Sequence, residues 1–256
     1  MRVFSWNEII SPDFDSKCFG KGTAVSVGSF DGPHVGHKSL FDALFTAASK
    51  NNLYSCIVTF KCPLPTLKYP KDYIGDIATF DQRLFEFERL GIDFCIISEF
   101  SENFRTMDGT TFLLALKQKL KMKFIVEGRD FHFGRKGDST IDDIHAFCTE
   151  NGLDCIFPDF VYFDGKRISS SSIRNKIKCG LLDDAARILG REFELDLREI
   201  EGKEILDADK KNSKPKRIYE REKIHQVLPE NGEFFMCVNG MKKRVFISEK
   251  NVLVEG

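Results

Sequence analysis

Residues 24 to 48 constrain the fold more than any other stretch of the chain. An apolar run, Ala24-Val25-Ser26-Val27, ends in Gly28-Ser29-Phe30-Asp31-Gly32-Pro33-His34-Val35-Gly36-His37, after which Leu40, Leu44, Phe45 and Ala48 recur at helical spacing. Strand, glycine-rich turn, helix is the order implied, and it is the repeating unit of a parallel sheet with crossover helices. The first two-thirds of the chain repeats it. Strands are predicted over residues 23 to 30, 54 to 60, 93 to 98, 123 to 127 and 154 to 157, and helices over 36 to 50, 80 to 90, 109 to 120 and 140 to 151. Thr79-x-x-Gln82 reads as a capping box at the second helix and Gly91 as its stop, while Asp108 is placed to cap the third. An α/β fold with a parallel sheet follows.

The tail is different. From 207 to 217 the chain is polar and highly charged, as expected of an exposed loop. Beyond it, 233 to 238 and 242 to 247 flank Asn239-Gly240, a dipeptide suited to a type I′ hairpin turn. The expected organisation is one α/β domain over residues 1 to 189 and a small C-terminal β-rich appendage over 190 to 256. With 38 basic and 39 acidic residues the net charge is -1, so no global positive field exists to gather nucleic acid or an anionic membrane. Any phosphate binding must be local. No apolar run reaches signal-peptide or membrane-span length, which predicts a cytoplasmic protein. The eight cysteines include no C-x-x-C pair and are read as reduced thiols.

The turn from Gly28 to His37 has the chemistry of an anion cradle. Glycines let the backbone approach a phosphate, and the unpaired N–H groups and dipole of a helix start favour negative charge. His34 and His37 stand three apart, so within one helical turn they would share a face and both hydrogen-bond phosphate oxygens. Two more segments carry possible site residues. In an extended stretch Phe131 and Phe133 share one face and Asp130 and His132 the other, so the two rings suit either a bound aromatic ring or the core. Gly134-Arg135-Lys136-Gly137 forms a basic loop beside them. In Ile168-Ser169-Ser170-Ser171-Ser172-Ile173-Arg174 the serines precede a helix-like run from 173 to 179, where their hydroxyls would cap its start and face an anion. Arg174 offers a permanently charged fork that matches phosphate oxygens.

The His34-Val35-Gly36-His37 segment resembles the signature of the nucleotidylyltransferase superfamily. With Gly28 to Gly32 before it, and with Gly128 to Gly134 and Ile168 to Arg174 after it in that order, the chain resembles the FMN adenylyltransferase module of prokaryotic FAD synthetases over roughly residues 20 to 190. The resemblance implies a Rossmann-like nucleotidylyltransferase fold. It implies transfer of AMP from ATP to FMN, giving FAD and pyrophosphate, with Mg²⁺ accompanying the ATP. It also implies catalytic roles for His34, His37, Ser170, Ser171 and Arg174, and nucleotide contacts from Gly28, Ser29, Phe30, Asp31, Gly36, Asp130, Phe131 and Phe133. Ser171 stands where the family usually has Thr, which keeps the hydroxyl. Phe60, Pro63 and Pro65 match the family's flavin-lining segment more loosely, and an ordinary turn is the other reading. Many family members carry a riboflavin kinase domain with a Pro-Thr-Ala-Asn segment. This chain lacks that segment, and riboflavin kinase activity is not expected of it. Two alternatives stand beside this reading: another phosphorylated acceptor, or a flavin-nucleotide binding protein without turnover.

Overall fold

The computed structural model describes residues 1 to 62, 73 to 99, 101 to 205 and 215 to 256. The described residues fall into two compact units. The first comprises residues 1 to 30, 36 to 67 and 84 to 162; the second comprises 31 to 35, 68 to 83 and 163 to 256. The second unit therefore takes a five-residue piece out of the glycine-rich turn itself.

The first unit is built on six parallel strands: β1 (Arg2–Ser5), β2 (Thr23–Val27), β3 (Tyr54–Phe60), β4 (Phe94–Ser98), β5 (Met122–Val126) and β6 (Asp154–Ile156), in the order β1-β4-β3-β2-β5-β6. Alternate side chains of these strands feed two cores. Val25, Val27, Cys56, Val58, Ile96 and Ile125 pack with α1 (Trp6–Ile10) and, after α2 (Lys38–Lys50), α3 (Phe80–Leu90) and α4 (Glu102–Thr106), with α5 (Gly109–Lys119) and α6 (Ile141–Asn151). Ala24, Ile57, Cys95, Phe124 and Val126 pack instead with Leu40, Phe41, Leu44, Ala47 and Ala48 of α2 and Phe87 of α3. Each large apolar side chain so buried is worth about 1.5–3 kcal/mol, which is why these short strands hold together.

The expected strands and helices are present, with the sheet parallel throughout and all eight cysteines free. Thr79 and Gln82 exchange the two capping-box bonds, and Asp108 accepts the N–H of Thr111. Two corrections concern the turn. The first strand stops at Val27 rather than Phe30, because Phe30 adopts a positive φ of 42°. The helix begins at Lys38, and Val35–His37 form a separate 3₁₀ turn, so His34 and His37 do not share a first α-helical turn. The strand and helix over Arg2–Ile10 had no counterpart in the sequence reading.

A short hairpin, β7 (Tyr162–Phe163) and β8 (Lys166–Arg167), leads into α7 (Ser170–Lys178) and α8 (Leu182–Leu189) of the second unit, whose last segment begins at Phe163. It then forms β9 (Glu194–Leu195), β10 (Lys203–Ile205), β11 (Lys216–Glu220), β12 (Gly232–Val238), β13 (Met241–Ile247) and β14 (Asn251–Glu255). These lie in the order β10-β11-β14-β13-β12-β9, antiparallel except for the β9–β12 pair. The β12–β13 turn is the expected one, with φ of 49° at Asn239 and 80° at Gly240.

β2 and β5 are neighbours, but the connections leaving them run in opposite directions across the first sheet, to β3 and to β6. Such a switch point opens a crevice beyond the carboxyl ends of the strands. Here the opening is fixed by a side chain. β2 stays paired with β3 as far as Val27↔Val58, and the Gly28 N–H still donates to the Val58 carbonyl at 3.0 Å. Towards β5 the ladder ends at Val25↔Ile125, and the Val27 N–H donates instead to the Glu127 carboxyl at 2.6 Å. Glu127 is fully buried, and burial pushes its carboxyl well above the usual range, against the smaller opposing effect of the Val27 bond.

A folded-state carboxyl raised in this way keeps a proton that the unfolded chain loses above about pH 4.3. Stability therefore falls as pH rises from there through the raised value. Glu127→Gln retains an acceptor for Val27 without the ionisation, so its thermal midpoint should gain on the wild type between pH 5 and pH 8. A difference that stays constant with pH would show that folding does not raise the Glu127 carboxyl above its unfolded value.

Candidate active site

In the first unit, β2 delivers Gly28, Ser29 and Phe30. Phe30 folds its ring back over Gly28, whose Cβ, if present, would stand 2.8 Å from the ring, and so glycine is required there. The ring is buried against Phe41 and Phe87, which makes Phe30 a core residue holding the shape of the turn. The Ser29 carbonyl accepts from Thr59 Oγ1 at 3.3 Å, tying the turn to the end of β3. After residues 31 to 35 the chain returns at Gly36, and His37 is the half-buried residue preceding α2. Its ring lies 5.3 Å from that of Phe30 and 6.0 Å from that of Phe41. Desolvation lowers the His37 pKa to about 4, outweighing the upward pull of Asp130. His37 is thus a neutral imidazole near pH 7, able to donate one N–H.

The second motif leaves β5 through Glu127 and Gly128 and turns at Arg129-Asp130, closed by the Phe131 N–H on the Gly128 carbonyl at 3.0 Å. Phe131 and Phe133 do lie on one side, stacked at 5.5 Å and 12°. Phe133 is buried in the core beside Phe112, while Phe131 is half-buried and Asp130 exposed. Phe133 and Ser139 exchange backbone bonds at 3.0 and 3.1 Å, closing the basic loop so that Arg135 and Lys136 are exposed at its tip. Gly134 must be glycine there: its φ is 75°, and a Cβ would stand 2.9 Å from the Gly109 nitrogen.

In the second unit, Asp31 is the organising residue. Its buried carboxylate accepts the Ile77 N–H at 3.0 and 3.1 Å and the Ala78 N–H at 3.3 Å, and it forms a short ion pair with Arg174. Gly32, with φ 61°, packs so closely on Ile77 that a Cβ would come within 2.5 Å of it. These contacts bring His34, also buried, to Ser170, with Nε2 and Oγ 3.3 Å apart. Arg174 places Nε on the Gly75 carbonyl at 2.9 Å and its guanidinium 5.0 Å over the Tyr73 ring. Tyr73 in turn donates to Asp76, whose carboxyl burial lifts to about 6.

Helix α7 differs from its expected start. Ser169 is the N-cap and exchanges a capping box with Ser172, so Ser170 and Ser171 occupy the first turn rather than the cap. Their own N–H groups belong to the helix start, where no intrahelical acceptor is available.

A profile of the FAD synthetase family matches residues 17–172. The chain belongs to this family. It is 30% identical over 192 residues to a bifunctional riboflavin kinase/FMN adenylyltransferase of Buchnera aphidicola subsp. Schizaphis graminum, covering 74% of this chain and 61% of that protein. The protein of the same description from Escherichia coli K12 is 28% identical over 189 residues, 72% of this chain and 59% of that one. A protein named FAD synthetase from Listeria monocytogenes is 24% identical over 184 residues, 72% and 73% of the two chains. The chain thus spans about three-fifths of the length of the two bifunctional relatives. A solved structure described as a macrolide-efflux protein from Streptococcus pneumoniae matches with a TM-score of 0.73 at 20% identity, over 99% of this chain and 92% of that one, and the likeness is one of fold.

Within the family's three segments, the structure brings together Asp31, His34, Ser170 and Arg174 in one unit, and Gly28, Ser29, Phe30, Gly36, His37 and the Asp130–Phe133 stretch in the other. Phe60 is buried against Phe104 in the core. Pro63 and Pro65 lie outside the described residues. The sequence reading missed Glu127, Tyr73, Gly75 and Asp76. Glu127 had a visible signal, as a lone acid closing an apolar run; the others had none.

Breaking a buried ion pair leaves one charge uncompensated, at a cost of about 3–5 kcal/mol. Asp31→Asn and Arg174→Ala should each lose stability of that order in urea unfolding, and the double variant should lose clearly less than the sum. Additive losses would mean that the two side chains do not depend on each other.

Proposed function

We propose that this chain is an FMN adenylyltransferase, transferring AMP from ATP to FMN to give FAD and pyrophosphate. The observation that carries the reading is the switch point of the first sheet. The family's first motif leaves β2 there and its second leaves β5, the two strands whose divergence Glu127 fixes. Magnesium enters as MgATP, held chiefly by phosphate oxygens and water, as the ion's coordination chemistry favours.

In the proposed reaction an FMN phosphate oxygen attacks the α-phosphorus of ATP in line. The new bond is O–Pα, and the bond broken joins Pα to the bridging oxygen, whose electron pair leaves with pyrophosphate. The second ionisation of a phosphate monoester lies near pH 6, so at neutral pH the nucleophile is already charged and needs no strong base. The protein's task is positioning and charge neutralisation. His37, held neutral, supplies an N–H donor. His34 and Ser170 act as a pair, the hydroxyl and the imidazole orienting each other for phosphate oxygens. Ser171 adds its hydroxyl and the N–H of the first turn of α7. Arg174 has committed Nε and Nη2 to Gly75, Asp31 and Tyr73, so its proposed phosphate contact falls to Nη1. On the acceptor side, Phe131 offers a half-exposed ring face for stacking, with Asp130 beside it. No helix among the described residues is long and apolar enough to cross a membrane, and a cytoplasmic location fits substrates that are soluble nucleotides.

Purified protein given MgATP and FMN should form FAD and pyrophosphate in equal amounts. FMN binding without pyrophosphate would favour a binding protein, and absence of FMN binding would favour another acceptor. Riboflavin and MgATP alone should yield neither FMN nor FAD; appearance of FMN would overturn the expectation that this chain lacks kinase activity. Removing one preorganised donor to developing charge costs about 10²–10³ in kcat. His37→Ala should show a loss of that order in FAD formation with only a few degrees' change in melting, and near-normal turnover would refute the proposed role.

A further inference from the structure

The segment Gly75 to Gln82 is a go-between within the second unit. On one side it pairs with the stretch before β12: the Asp76 N–H donates to the His225 carbonyl and the Val227 N–H to the Asp76 carbonyl, both at 2.8 Å. The approach is so close that a Cβ on Gly75, whose φ is 119°, would stand 2.6 Å from the Val227 nitrogen. On its other side the same segment presents the Gly75 carbonyl to Arg174, and the Ile77 and Ala78 N–H groups to Asp31.

At the centre of this arrangement is Gln226, which is 3% exposed. Its Nε2 lies 3.2 Å from the Ile77 carbonyl, 2.9 Å from the Glu194 carbonyl and 3.1 Å from Gln82 Oε1, two N–H bonds shared among three acceptors. Its Oε1 accepts the Asp196 N–H at 2.7 Å. The surroundings brace it further. Gln82 Nε2 donates to the Glu194 carbonyl at 3.2 Å, and Thr79 Oγ1 to Asp196 at 3.1 Å, while Arg198 holds the Asp196 carboxylate with bonds of 2.8 and 2.6 Å. A single residue separates this clamp from Asp31: the Ile77 carbonyl is taken by Gln226, and the Ile77 N–H by Asp31.

We propose that Gln226 is a positioning residue for the adenylyl-transfer site, making the C-terminal sheet part of the machinery that orients Asp31, Arg174 and the His34 turn. Gln226 touches no substrate. It fixes Ile77 against β9, and a rotation of that residue would redirect the N–H groups that hold Asp31. Asp31 in turn fixes Arg174 and the first residue of the 31 to 35 turn, so the effect is read at the phosphates. This inference rests on the adenylyltransferase reading for its turnover measurements, but its binding measurement needs only ATP.

The test compares Gln226→Met, which keeps the volume and removes every side-chain hydrogen bond, with Val245→Ala, a buried β13 truncation in the same unit whose register partners are Phe234 and Val254. Gln226→Met should lower kcat/KM for ATP at least tenfold and weaken calorimetric MgATP binding by a similar factor, at a temperature where circular dichroism shows it folded. Val245→Ala should lower the melting temperature yet leave both quantities within twofold of the wild type. The proposal is overturned if Gln226→Met keeps kcat/KM and ATP affinity within twofold, or if Val245→Ala costs as much of both at an equal loss of melting temperature. Should Gln226→Met not fold, Gln82→Leu removes one arm of the same clamp, and the same comparison decides. A wild type that binds ATP but makes no FAD would defeat the functional reading while leaving the binding comparison to judge Gln226.

Discussion

The second unit depends on one buried carboxylate. Asp31 leaves water for a site where only hydrogen bonds and a counter-charge can replace its hydration, and it receives both, from two peptide N–H groups and from Arg174. A buried ion pair is seldom the most stabilising filling for its space, but it is among the most geometrically demanding. Charge, fork geometry and two fixed amides allow one arrangement. That arrangement requires the close approach of Gly32 to Ile77 and puts His34 on Ser170. The ion pair is thus a reason for Asp31 to be in the motif that does not require it to touch a nucleotide.

The other unit follows a different rule, in which burial disfavours the charged forms of two titratable groups near the strand ends. Burial pushes Glu127 towards its protonated form and His37 towards its unprotonated form. If the proposed site gathers two anionic substrates, this is useful in both directions. An ionised Glu127 would repel phosphate, and burial disfavours that charge while its carboxyl still accepts the Val27 N–H. A neutral His37 loses attraction at a distance but keeps a donor that costs little to align. A phosphate bound as proposed would work against the desolvation that lowers its pKa, so the imidazole would gain positive character when negative charge is present to stabilise.

Most of the sheet could be read from the chain because its strands and helices are local patterns. The strand at 54 to 60 and the helix at 80 to 90 agree with the expected limits to the residue, and Asn239-Gly240 forms the expected turn. Errors fall where a contact distant in sequence overrides the local pattern. Residues 28 to 30 look like the continuation of a strand, yet Phe30 turns back over Gly28 to reach the α2 and α3 core. Four serines before an apolar run look like interchangeable caps, and only the reciprocal bonds of Ser169 and Ser172 reveal which one is the cap.

The same principle explains why site residues were legible as types but not as roles. A glycine-rich turn with two histidines announces phosphate chemistry, but whether Asp31 faces a ligand or Arg174 depends on partners 46 and 143 residues away. Gln226 is the limiting case. A lone glutamine before a β-hairpin carries no periodicity, charge or motif, and its four bonds reach 30, 32, 144 and 149 residues back along the chain. Read by composition, the C-terminal strands are an appendage to a nucleotide-binding domain. Read by hydrogen bonds, they hold the peptide that holds Asp31, and the two histidines of one ten-residue motif consequently answer to different parts of the protein: His37 to the aromatic core of α2, His34 to a clamp whose centre lies near the far end of the chain.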